Sequence, residues 1–308
     1  MLVATWQDGL FVVNGTIDQE LRGQSIGALA PDGLGGALAI VNGRSLRRRA
    51  PGGAWSTIAT TNVDLACCVA VGDVIYVASD DARVLRVSVD GALDRLHGFD
   101  EVAGRDSWYA GSAVINGERI GPPLGIRSMT ATSDGAALMA NVHVGGVPRS
   151  TDGGMTWQPS IAIESDVHEV RAHPSHPGVV VAAAAIGLCT SLDAGATWTV
   201  EQEGLHAAYC SAVALAGDDV LVSAADHHFA GEGAIYRRTV TGNSPLIAVS
   251  GGLPAWLDGI TDTRCIAAHG SAAALTDQKG NLYLSMDAGR HWSHRTAGLP
   301  GPSSVLIV

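Results

Sequence analysis

Apolar and polar residues alternate with a period of two over short runs along the chain, and breaks rich in Gly, Pro, Asp and Asn separate the runs. That pattern predicts many short β-strands joined by tight turns. The stretch 165–200, SDVHEVRAHPSHPGVVVAAAAIGLCTSLDAGATWTV, contains one complete unit. Residues 168–172 alternate as a strand and 174–177 form a Pro-bounded turn. Residues 179–185 are a small-residue and β-branched strand, 188–192 are a third, and a fourth begins at Thr197.

The octet Ser191 to Trp198, S-L-D-A-G-A-T-W, lies between the third and fourth strands, and it recurs as S-T-D-G-G-M-T-W at Ser150 to Trp157 and S-M-D-A-G-R-H-W at Ser285 to Trp292. Three copies, each between one strand and the next, define an internal repeat. The pattern resembles the Asp-box, or BNR repeat, of bacterial sialidase-like propellers, sortilin-type receptors and photosystem assembly factors. The third copy departs from it, with His291 in place of the Thr. In such a hairpin the Asp accepts hydrogen bonds from its own turn, a Gly takes positive φ and the Trp covers the turn. The boxes are therefore read as folding elements that do no chemistry. Sialidase catalysis does not carry over: Gly125-Ile-Arg-Ser128 is not the R-I-P motif, and no matching arginine triad or Tyr/Glu pair is found.

Laid out in four-stranded units, the chain is predicted to be all-β and to form one seven-bladed β-propeller over 1–308. The first blade opens with its second strand, at 2–6, and the apolar run 303–308 supplies its missing innermost strand, closing the ring. Gly-Leu-Pro or Gly-Leu-His at Gly204, Gly252 and Gly298 marks the crossings from an outermost strand to the next innermost one. Residues 98–124 lack a strand period and are expected to be an inserted loop over the axial face, with Trp108, Tyr109 and Trp256 either walling a ligand or anchoring their own loops.

Composition narrows the partners. The chain of 308 residues is 16% charged, its formal net charge is −11 and Lys279 is its sole lysine, so no basic face exists for nucleic acid or an anionic membrane. With no signal-peptide pattern and no long apolar segment, a soluble, cytoplasmic protein is expected. The five cysteines lack C-x-x-C spacing and read as buried thiols.

The blade layout also sorts the eleven histidines. His143, His168, His206, His227 and His228 fall on the face that carries the D-to-A and B-to-C connections, in neighbouring blades. Of the adjacent pair His227 and His228, only one can point inward from a regular strand. Imidazoles from several elements suit a divalent ion such as Zn, Fe, Mn or Cu, so His143, His168, His206 and His227 are candidate metal ligands. His168, His206 and Tyr209 are candidate acid–base groups, and Arg127 and Arg264 candidate holders of an anion. Asp166, two residues before His168, could orient an imidazole or cap a loop. These residues predict an enzyme of hydrolase or lyase type acting on a small, anionic molecule; the alternative is a non-catalytic scaffold that binds a protein or glycan.

Overall fold

The computed structural model describes residues 1–109 and 124–308, together with the backbone of the hairpin Ala113–Ile115 and Glu118–Ile120. Seven antiparallel sheets stand around an axis as a seven-bladed β-propeller, with the strands of each blade running A to D from the centre outward. Blade 1 takes Leu2–Thr5, Leu10–Val13 and Ile17–Glu20 from the start of the chain and Pro302–Leu306 from its end. Leu2, Val3 and Ala4 pair with Leu306, Val305 and Ser304, which closes the ring as the alternation predicts.

Blade 5 shows why these sequences make blades. Strands Val180–Ala184 and Gly187–Ser191 are buried throughout because neighbouring blades cover both faces, and the runs of Ala and Val fit the narrow space near the axis. The outer strand Thr199–Glu201 is mostly exposed and polar. At the crossing out of this blade, Gly204 has φ +90°, and a Cβ there would lie 1.9 Å from the carbonyl oxygen of Leu246, so no other residue fits.

The octets fold as hairpins with one shared geometry. Ser191 Oγ bonds to Asp193 at 2.8 Å, Gly195 N donates to Ser191 Oγ at 2.9 Å, and Thr197 donates to Asp193 from its backbone N–H at 2.8 Å and its hydroxyl at 2.6 Å. The copy at Ser150 repeats these bonds. In the third copy His291 does the work of the missing Thr: its backbone N–H and its Nδ1 donate to Asp287 at 2.8 and 2.6 Å. Trp157 and Trp292 cap their own turns through Gly154 O and Gly289 O, whereas Trp198 bonds to Ser160 Oγ in the preceding blade. Reduced versions without Trp occur at Ser79–Asp81, Ser88–Asp90 and Thr132–Asp134.

The insertion at 98–124 begins with two short 3-10 helices, His97–Glu101 and Arg105–Ser107. Phe99 is buried against Trp157 and Trp108 with ring centroids 5.0 and 5.7 Å away, and the Arg105 guanidinium lies over Trp108. Trp108 therefore anchors its own loop. The middle of the insertion, where a cover over the axis was expected, lies outside the described residues. Trp256 is 45% exposed.

The hairpin carboxylates make the fold sensitive to acid in a defined window. Bonds from Thr156 and Thr197 hold Asp152 and Asp193 down to about 2, below the ordinary carboxyl value of about 4. Their contribution to stability is complete above pH about 4 and is lost as pH falls through about 2. Asp193→Asn should show a shallower decline of urea stability between those pH values than wild type. Superimposable profiles would show that this carboxylate is not held by its turn.

Candidate functional site

The mouth of the axial channel at the D-to-A face is built by a repeated irregularity in strand A. In blades 2 to 5 the pairing of strand A with strand B skips one residue near its start: Gly27, Ala66, Arg127 and His168. A β-bulge of this kind re-aims the extra residue and increases local twist. Two of the four bulged residues carry chemistry. Arg127 and His168 turn toward the mouth, where Asp166, His143 and Tyr209 meet them.

The cluster has a specific order. Arg127 Nη1 lies 3.0 Å from His143 Nε2, and because a guanidinium only donates, His143 accepts there. Arg127 Nη2 donates to Thr263 Oγ1 at 3.1 Å and lies 3.8 Å from Asp262 Oδ1, which itself takes the Thr263 N–H and the Ser211 hydroxyl. His143 Nε2 is 3.3 Å and His168 Nε2 3.7 Å from the same oxygen, Asp166 Oδ1. His168 is fully buried, its Nδ1 is 2.6 Å from the Cys210 carbonyl, and its ring lies 4.7 Å from that of Tyr209. Asp166 is held at φ +48°, a left-handed conformation that costs a non-glycine residue energy and recurs at functional sites.

The environment sets the protonation of these groups. Burial, and then the charge of Arg127, push His143 down to about 3, so its ring is neutral at neutral pH. Burial pushes the Tyr209 phenol up to about 12, so it keeps its proton. Asp166 is held below the ordinary carboxylate range: burial opposes this, but the neighbouring His168, His143 and Arg127 outweigh it. Burial also lowers the Arg127 guanidinium from its usual value. Arg127 is thus a half-buried cation whose close partners are an imidazole and a hydroxyl, with no bidentate carboxylate among the described residues.

The other expected residues lie elsewhere. His206 is exposed, bonded through Nδ1 to the Tyr236 hydroxyl at 2.7 Å and edge-on to Trp256. His227 is exposed, with Nδ1 accepting the Phe229 N–H. The half-buried His228 is the member of that pair whose charge reaches His143. Arg264 lies in a polar layer beneath the cluster. Its Nη1 donates across the axis to Ala66 O and Arg127 O, and its backbone N–H donates to Glu169 Oε2. Glu169, fully buried, also accepts the Val213 N–H on Oε2 and the Arg171 guanidinium on Oε1. This layer was not foreseen from the sequence, where Glu169 is one polar residue in an alternating strand.

No protein-family profile matches the chain, and no curated protein does. Among solved structures, it is similar to the GH74 xyloglucanase from Xanthomonas campestris, at 18% identity and TM-score 0.60 over 96% of this chain and 46% of that one. It is also similar to U3-55K, at 12% identity and TM-score 0.62 over 93% of this chain and 86% of that one. YCF48 bound to D1 peptide is matched at 12% identity and TM-score 0.52, over 80% of this chain and 81% of the other. The chain spans just under half the length of the xyloglucanase. At these identities the likeness shows the fold.

Glu169 ties strands A of blades 5 and 6 to the start of blade 7, and its removal leaves Arg171 and the N–H groups of Val213 and Arg264 without their acceptor. Glu169→Ala should therefore lower the unfolding free energy by about 3–5 kcal/mol in chemical denaturation. A variant within about 1 kcal/mol of wild type would show that the layer does not hold the blades together.

Proposed function

We propose that the D-to-A mouth is the active site of an enzyme of lyase or hydrolase type acting on a small carboxylate-bearing molecule. One observation carries this reading: a half-buried guanidinium, Arg127, lies 3.0 Å from a neutral imidazole, His143, whose Nε2 is 3.3 Å from the carboxylate of Asp166. Arg127 would take the substrate carboxylate on its Nη atoms. Once bound, the carboxylate offsets the charge that holds His143 down, and the imidazole becomes a better base. In the lyase direction the proton beside the carboxylate leaves to the His143–Asp166–His168 edge, and the Tyr209 hydroxyl protonates the departing group. In the hydrolase direction the same edge draws the proton from an attacking water. The exposed rings of Trp256 and Phe229, in the connections of blades 6 and 7, would suit the face of a sugar. The octet geometry supports reading the hairpins as Asp-boxes of the sialidase-like class of propellers, with different residues at the mouth.

The test is a panel of hydroxy acids and carboxylate-bearing sugars, scored for unsaturated product and for incorporation of heavy oxygen from water. The first would mark elimination and the second hydrolysis. Tyr209→Phe should lower kcat about 10²–10⁴-fold with KM little changed. Arg127→Ala should lower kcat/KM by at least about 10²-fold. A panel without turnover, or variants as active as wild type, would leave the rival reading of a binding scaffold in possession of the same face.

A further inference from the structure

Three hydrogen-bond acceptors converge at the mouth: His143 Nε2, Asp166 Oδ1 and His168 Nε2. The Cys210 carbonyl can only accept, so the short contact to His168 Nδ1 places the proton of a neutral ring on that nitrogen and leaves Nε2 as a bare lone pair. Nε2 is buried, has no hydrogen-bond partner among the described residues and faces Asp166 Oδ1, which is also buried and without one among them. Two buried lone pairs opposed to each other repel unless a cation lies between them. His143 Nε2 is 3.3 Å from the same oxygen, and the three ligand atoms lie within 4.8 Å of one another.

We infer that His143 Nε2, Asp166 Oδ1 and His168 Nε2 form a binding site for a divalent first-row cation, zinc above all. The spacing supports it: ligands about 2.0–2.2 Å from a tetrahedral zinc are separated by about 3.3–3.6 Å, and the two distances to Asp166 Oδ1 are 3.3 and 3.7 Å. Two imidazoles and one carboxylate leave a fourth position for water or substrate, the arrangement of hydrolytic rather than structural sites. The His168 Nδ1 bond to a carbonyl is the outer support that fixes the tautomer of a metal-bound imidazole. On binding, the ion replaces the Arg127 N–H at His143 Nε2. The freed guanidinium keeps Thr263 and turns to an anion beside the metal, which offsets the repulsion between the two cations. A second trio, His173, His176 and Asp218, is also within ligand distance but is already committed: His173 Nε2 is bonded to Gly217 O, and its Nδ1 accepts the N–H groups of Ser175 and His176.

This assigns an occupant to the acceptor edge of the proposed active site and rests on that reading; with an ion on these three atoms the base would be Asp166 Oδ2, the carboxylate oxygen outside the set, and the test does not depend on turnover. Untagged protein freed of metal by chelation is titrated with zinc(II) and manganese(II) by calorimetry, with metal content measured after dialysis. Wild type should retain one equivalent and gain thermal stability with added ion. Asp166→Asn is the telling variant. Asn tolerates the left-handed backbone at this position, and its amide can donate to His168 Nε2, so it satisfies the orphaned lone pair without an ion. It should fold as stably as the metal-free wild type and bind zinc more than about 100-fold more weakly. No uptake by wild type, or equal uptake by Asp166→Asn, would overturn the inference. Metal bound without turnover of any panel substrate would overturn the catalytic reading alone.

Discussion

Strand A of each propeller blade has a hydrogen-bonded neighbour on one side only, so its other edge carries backbone N–H groups with no ladder to join. Seven such edges face the axis here, and the protein serves several of them with side chains from the adjacent blade. Ser128 and Thr130 accept the N–H groups of Val170 and Ala172, Glu169 accepts that of Val213, and Ser304 accepts that of Leu29 across the ring closure. Unmet, each buried donor would cost about 1–3 kcal/mol. Meeting this requirement is what couples blades that otherwise share only apolar contact. It also puts a polar layer on the axis, with Arg264 spanning from blade 7 to the backbone of blades 3 and 4.

The chemistry of the mouth follows from that layer and from the bulges above it. A regular strand A would place the side chains of positions 127 and 168 in the packing between blades; the skipped pairing turns them to the opening. Below, the Arg127 carbonyl is held by Arg264, and on its far side Thr263 and Asp262 are ordered by Ser211. Arg127 is thereby fixed in position while its charge stays only partly compensated. The left-handed residues Asp166 and Arg264, at φ +48° and +69°, sit on the two connections that complete this arrangement. Arg127, Asp166 and Arg264 thus lie together at one end of the axis. At the other end, a cavity of about 760 Å³ is lined by both apolar residues, such as Val69, Met129 and Leu215, and polar ones, such as Thr132, Asp134 and Arg171.

Strand order, ring closure and blade number are legible in the sequence because each rests on a local signal. Alternation marks strands, the octets mark outer hairpins, and the apolar tail 303–308 has no partner except the incomplete first blade. Observed strands begin and end within a residue or two of where alternation places them, as at Val167–Ala172. The meeting of Arg127, His143, His168 and Tyr209 on one face is also legible, since blade topology alone brings those positions together. The bulges are not, because a one-residue slip in pairing leaves no mark on composition or period. Nor is the separation of His206 and His227 from the cluster. Topology gives the face, but whether a side chain turns inward depends on partners such as Tyr236 and the Phe229 N–H that lie far away or in an irregular loop. The role of Glu169 required knowing that the neighbouring strands leave donors open.

The chemistry of the mouth turns on the state of one buried imidazole, His168. Nitrogen-15 spectra of histidine-labelled protein report the protonation of His168 Nδ1 and Nε2 separately, before and after one equivalent of zinc. The account predicts a protonated Nδ1 throughout and an Nε2 that moves from the bare to the metal-bound position. An imidazole already protonated on both nitrogens at neutral pH and unmoved by zinc would mean that a proton shared with Asp166 fills the gap, and would contradict it.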